Sequence, residues 1–240
     1  IIKAIGIIFA VFLSIVIIYL AYVFLSYRRI DDNQKLTVNL PKQQSADFDS
    51  SQMPINKTYT VGTYNVGFGA YLPDYSFFMD GGKYSRCYSG ESGANAIKGA
   101  AGLALKYEPD FMMFQEVDRD STRSYHVNQE NLITKIFNNY YETFAVNYDS
   151  AYLFYPFNEP IGASYSGIAS YSKYKITDCL RRSLPISTGF SKFLDLDRCY
   201  AINRIKVENG KELVLINVHL SAYGNSDEIR EGQLKMLFGD

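Results

Sequence analysis

Apolar positions fall into three regimes along this chain. From residue 4 to 25 they are nearly continuous, broken by Gly6, Ser14 and tyrosines. As a helix, a run of about 22 residues rising ~1.5 Å each covers roughly 33 Å, enough to cross a hydrocarbon core of ~30 Å. Tyr19, Tyr22 and Tyr27 crowd its far end and Arg28-Arg29 close it, as an interfacial belt and flank require. A core helix is rarely apolar on every face, and the apolar part of a signal peptide is shorter and ends at small residues. The pattern therefore predicts a membrane helix over 1–27, in contact with lipid through residues 4–25. Residues 28–57 then lose all period. They are rich in Asp, Gln, Ser and Lys, with Pro41 and Pro54, and read as a polar linker in which Leu36 to Leu40 suits a short edge strand.

The third regime, 58–240, alternates between the two periods of folded structure. Tyr59 to Val66 reads as a strand, and Ser92 to Tyr107 carries Ala94, Ile97, Ala101 and Leu105 at helical spacing. Pro109 ends that helix, and Phe111 to Val117 is a buried strand. A helix over Val127 to Tyr140 and strands at Thr143 to Tyr148, Gly167 to Ser172 and Tyr174 to Arg182 come next. Tyr200 to Val207 and Glu212 to Leu220 are joined by Glu208-Asn209-Gly210-Lys211, a hairpin turn by its Asn-Gly. Asp227 opens a last helix. Strand, helix, strand, helix and then antiparallel strands make an α+β layered domain.

Composition narrows the function classes. A net charge of −1 supplies no global field for a nucleic-acid polymer, though a local basic groove would suffice. Cys87, Cys179 and Cys199 are odd in number and widely spaced, so they form no disulfide framework and read as small buried residues. GxGxxG and GxxxxGK[ST] are both missing from the chain, which removes the dinucleotide and P-loop readings. Two aromatic stretches, 67–90 and 148–157, suit either a satellite core or a surface beside the membrane.

Three strands end in polar residues that their apolar runs do not require. Asn65 closes the first, Gln115-Glu116 the second, and Asn217 and His219 the last, on one strand face. A carboxylate at the mouth of a buried strand is costly unless a cation or strong donors answer it. Taken alone, Asn65 is a turn cap, Glu116 a partner for a lysine and His219 a hydrogen-bonded core residue; the conjunction is what points to a site.

Thr63-Tyr64-Asn65-Val66-Gly67, Phe114-Gln115-Glu116-Val117-Asp118 and Asn217-Val218-His219-Leu220 resemble signature blocks of the endonuclease/exonuclease/phosphatase (DNase I-like) superfamily. The stretch from Ser166 to Ile176 is similar to the strand between them. The resemblance covers about 58–240. It implies a four-layer α/β sandwich, two packed mixed sheets flanked by helices, here incomplete at the C-terminus and preceded by the membrane helix. It implies that Glu116, helped by Asn65, ligates Mg²⁺ or Mn²⁺, that His219 donates to a phosphate oxygen, and that Asn217 supports them. Arg123, Arg198 and Tyr171 are candidate substrate contacts. The family's later Asp-x-Asn and Asp-His blocks position and deprotonate water; no Gly-Asp-x-Asn follows His219 and no Asp-His pair occurs in the chain, and we expect that it is cropped before them.

The expected function is a membrane-anchored, metal-dependent phosphoesterase, monomeric, acting on nucleic acid, a phospholipid headgroup or a small phosphoester. The alternative is a catalytically inactive tethered binding module. Lys3 before the span and Arg28-Arg29 after it place the domain in the cytoplasm by the positive-inside rule. A lone N-terminal span, however, commonly exports the domain on its C-terminal side, and the domain is expected outside.

Overall fold

The computed structural model describes residues 2–42, 52–189, 192, 196–222 and 226–240. In chain order the elements are α1 (Ile2–Ser26), β1 (Gln34–Lys35), β2 (Val38–Asn39), β3 (Val61–Asn65), α2 (Gly90–Leu105), β4 (Phe111–Ser121), α3 (Gln129–Ile136), β5 (Tyr141–Asp149), β6 (Ser164–Ser172), β7 (Ile176–Ser183), β8 (Cys199–Lys206), β9 (Glu212–Val218) and α4 (Ser226–Gly239). The strands form two sheets, ordered β1-β7-β8-β9 and β2-β5-β6-β4-β3. The first is antiparallel. The second is mixed, because β3 runs parallel to β4 and α2 lies between them in sequence.

The unbroken apolar run of β4 arises because it is covered on both faces. Met112 and Phe114 point outward and pack with Ile97 and Ala101 of α2 and Ile133 of α3. Phe111 and Met113 point the other way, into the space between the sheets, with Ile176, Ile205 and Leu215. Helix starts coincide with their caps: the Ser89 hydroxyl accepts from Ser92 N at 3.0 Å, and the Asn128 side chain from Asn131 N at 2.7 Å. The two aromatic loops share a core of their own, with Phe68, Ala70, Phe77 and Cys87 from one and Leu153 and Ile161 near the other. All three cysteines are buried, and burial pushes the Cys179 and Cys199 thiols up to about 11.

Part of the segment read as a linker is paired, and β2 falls within the Leu36 to Leu40 stretch expected as an edge strand. β1 pairs with β7 and β2 with β5, so residues 34–39 edge both sheets. Two-residue strands are too short to leave a period; backbone pairing holds them, with Val38 packed against the core between the sheets. The remainder of the linker at 43–51 lies outside the described residues. Helix α1 is exposed along nearly its whole length, with Val23 buried near its end.

Candidate active site

The site begins with a fault in β4. Phe114 pairs with Ala169 but Val117 with Gly167, so Gln115 and Glu116 together oppose Ile168. This is a β-bulge, and it reverses the strand's parity: Phe114 and Val117 both face the helices. Glu116 carries φ +58°, a left-handed backbone that a non-glycine residue holds at a cost of roughly 1–3 kcal/mol. The bulge turns its carboxylate out of the ladder.

Asn217 and Gln115 lock the bulge from inside. Asn217, buried on β9 of the opposite sheet, donates to Phe114 O at 3.2 Å and Ala169 O at 3.0 Å, the pair just before the fault. Its amide oxygen accepts from Gln115 Nε2 at 2.7 Å. Asn217 therefore positions Glu116 from behind and cannot itself reach a substrate.

Asn65 holds Glu116 from the front. Its amide oxygen accepts from Gly67 N at 2.9 Å, closing the turn after β3, and its Nδ2 donates to Glu116 Oε1 at 2.9 Å. Turning the amide would break both bonds. In this arrangement Asn65 orients the Glu116 carboxylate, and its amide oxygen, with one lone pair engaged by Gly67 N, keeps a second. The turn needs glycine, since Gly69 has φ +75° and a Cβ there would lie 2.7 Å from Gly93 O on α2.

His219 lies just past the end of β9. Its Nε2 lies 3.5 Å from Glu116 Oε1 and 3.1 Å from Arg198 Nη1, and its Nδ1 lies 3.2 Å from Asn147 Nδ2. Burial, then the charges of Arg198 and Arg123, push the imidazole down to about 3, so it is neutral near pH 7 and the contact with Glu116 is no ion pair. Arg198 can only donate, so Nε2 carries the lone pair and Nδ1 the proton. Asn147 Oδ1 has no hydrogen bond as placed. Turning that amide lets Oδ1 accept from Nδ1–H and satisfies both groups. His219 thus accepts from Arg198 and has no Nε2 proton to give a phosphate while that contact stands.

The other expected substrate contacts divide. Arg198 lines the cavity that holds Glu116 and His219. Arg123 lines it too, but grips Asp118 through Nε at 3.2 Å and Nη2 at 2.8 Å, and its guanidinium lies 4.2 Å from the Phe68 ring. Burial works against its charge, and Asp118 more than offsets that, so it remains a cation committed to a buried partner. Tyr171 is excluded. It is fully buried among Phe114 and Phe137, and its hydroxyl donates to Glu142 Oε1 at 3.1 Å on the helix side of the sheet. Asn147 was missed from sequence, because mid-strand asparagine carries no motif. An exposed His126–Asp120 pair at 2.5 Å was missed as well; it lines neither of the cavities beside Glu116 and does not replace the family's Asp-His block.

Glu116 stands where these two cavities meet. One, about 90 Å³, is bounded by Phe68, Phe77, Met79, Arg123, Arg198 and His219. The other, about 570 Å³, is an open groove between the β3 end and α2. Among the described residues no group of three or more His, Cys, Asp or Glu comes together. The donor chemistry still fits Mg²⁺ or Mn²⁺, which keep several waters and bind through one or two carboxylates. Glu116 supplies a hard oxygen donor, its side chain is 23% exposed, and among the described residues its hydrogen bond, from Asn65, falls on Oε1 and leaves Oε2 available.

Solved structures with this architecture include an endonuclease/exonuclease/phosphatase from Beutenbergia cavernae DSM 12333, matched at a TM-score of 0.53 and 18% identity over 75% of this chain and 43% of that one. An endonuclease/exonuclease/phosphatase family protein from Leptotrichia buccalis C-1013-b matches at 0.47 and 15% identity, over 76% of this chain and 63% of that one. ANGEL2, a 2',3'-cyclic phosphatase, matches at 0.43 and 13% identity, over 88% of this chain and 50% of its own. The chain thus has the DNase I-like endonuclease/exonuclease/phosphatase fold. It spans less than half the length of the Beutenbergia protein. No family model and no curated protein matches the chain.

Proposed function

We propose that the chain is part of a membrane-anchored, divalent-metal-dependent phosphoester hydrolase whose metal is held by Glu116. The observation that carries this reading is the strained bulge at Glu116, locked from behind by Asn217 and from the front by Asn65. Strain of that kind persists where surrounding structure over-determines it, and it aims a side chain at a task. Glu116 Oε2 would hold the cation. Bound there, Mg²⁺ or Mn²⁺ would polarise a phosphoryl oxygen and stabilise the charge that develops during hydrolysis.

The remaining roles belong to the chain. Arg198 is the phosphate donor, always charged and oriented through His219, which Asn147 orients in turn. Arg123, paired with the buried Asp118, lines the same cavity as Glu116. Phe68, Phe77 and Met79 shield the smaller cavity from water. The fold match to an endonuclease/exonuclease/phosphatase supports the reaction class. The 25-residue apolar helix α1 supports a single-pass anchor. Hydrolysis of a generic phosphodiester by the intact protein, with Mg²⁺ titrated against chelator, tests the proposal. Glu116→Gln abolishes a metal-dependent rate if it is right; an unchanged rate in that variant rejects catalysis through Glu116 and leaves the binding-module alternative.

A further inference from the structure

We propose that the aromatic loop at residues 152–157 is a second membrane contact, lying in the lipid interface beside α1 and holding the rim of the active-site cavity at headgroup depth. This rests on the reading of α1 as a bilayer span.

The depth of the loop is set by α1. Tyr19 donates its hydroxyl to Tyr152 O at 3.2 Å and accepts from Phe154 N at 3.2 Å, and the Tyr22 hydroxyl accepts from Tyr152 N at 3.3 Å. The Tyr19 and Phe154 rings meet edge to face at 5.1 Å. Arg28-Arg29 close the span, and at ~1.5 Å per residue Tyr19 to Tyr22 lie within about 9–14 Å of them along the helix, on the side where the interfacial belt falls. The loop is bonded to the helix at that level.

Its surface suits the same place. Leu153 and Ile161 turn inward, but Phe154 is 50% exposed, Tyr155 63% and Phe157 85%. Residues 150–158 carry no charge. Glu159, the next ionisable group, turns inward and accepts from Ser85 N at 2.7 Å. Three adjacent exposed aromatics without a charge are costly against water and favourable at the headgroup boundary. The surface continues to the site. Tyr155 meets Phe78 at 5.8 Å, and Phe77 and Met79 on either side of Phe78 line the cavity of Glu116, Arg198 and His219.

The chain has no tryptophan, so one introduced residue reports without background. Phe157→Trp, Ile15→Trp and Lys211→Trp are compared in the intact protein, reconstituted into phosphatidylcholine vesicles with and without brominated acyl chains. Ile15 is mid-helix; Lys211 sits in the β8–β9 turn, a strand length away from the α1 end of β8. The expected result is a blue-shifted Phe157→Trp emission, quenched by brominated lipid several-fold more than Lys211→Trp. Quenching of Ile15→Trp with none for Phe157→Trp overturns the loop contact and leaves the span intact. A blue-shifted but unquenched Phe157→Trp means that protein, not lipid, covers the loop, and also overturns it. Loss of quenching for Ile15→Trp overturns the span and the loop contact together.

Discussion

At the residue scale the molecule concentrates its cost on Glu116, whose left-handed backbone glycine would adopt freely. Glu116→Gly is therefore expected to raise stability by about 1 kcal/mol in urea unfolding while losing metal binding; a lower stability would show that Glu116 serves the fold instead. Asn217 is the reverse case. Removing it strips the bulge of its donors to Phe114 O and Ala169 O, and Asn217→Ala should cost about 2 kcal/mol by the same measurement. Asn65, Glu116 and His219 were legible because polar residues at the mouths of apolar strands stand out. Their division of labour was not, since it depends on contacts that only the fold creates: Asn65 meets Glu116 through Nδ2 and Gly67 N through Oδ1. Tyr171 was misread because a strand buried on both faces gives no sign of which side a residue takes.

At the element scale, the order of strands and helices was legible from period alone, while the bounds moved where packing overrides period. Phe137 and Tyr140, read as helical, lie past the end of α3 and serve the core. Of the two edge strands, β2 lies in the Leu36 to Leu40 stretch read as one and β1 was hidden by its length; both matter to the domain. The buried Arg181 guanidinium donates through Nη1 to Asp31 O at 2.9 Å and Ile30 O at 3.5 Å. A chain starting at residue 57 leaves that cation short of acceptors and both sheets uncapped, and should unfold at clearly lower urea than one starting at 28. Equal midpoints would restore the linker reading. Glu142 on β5 gives a pH signature. Burial, then the nearby Glu130 charge, push its carboxyl from 4.5 up to about 7. The folded state thus favours the protonated acid, so this contribution is fully present below pH ~4.5 and is lost as pH rises through about 7. At roughly 1.4 kcal/mol per unit the loss is about 3 kcal/mol. Glu142→Gln, which has no charge to lose, should flatten that part of the stability–pH curve; an unchanged slope would contradict the assignment.

At the scale of the whole molecule, the two sheets meet so that residues from both come together at the candidate site: Glu116 from the mixed sheet, Asn217 from the antiparallel one and His219 just past its last strand. The anchor reaches the same place. Tyr148 borders both the active-site cavity and a small pocket under the end of α1, and Asp197, which accepts from Ile30 N at 3.0 Å, precedes Arg198 in the chain. Helix α1, Arg198 and Glu116 are thereby linked through a few residues. The proposed chemistry depends throughout on Glu116 as a metal ligand. Calorimetric titration of Mn²⁺ into the intact protein at neutral pH, with Glu116→Gln alongside, measures that directly. One site weakened at least about tenfold in the variant is the predicted result, and equal affinity in the two proteins would contradict it.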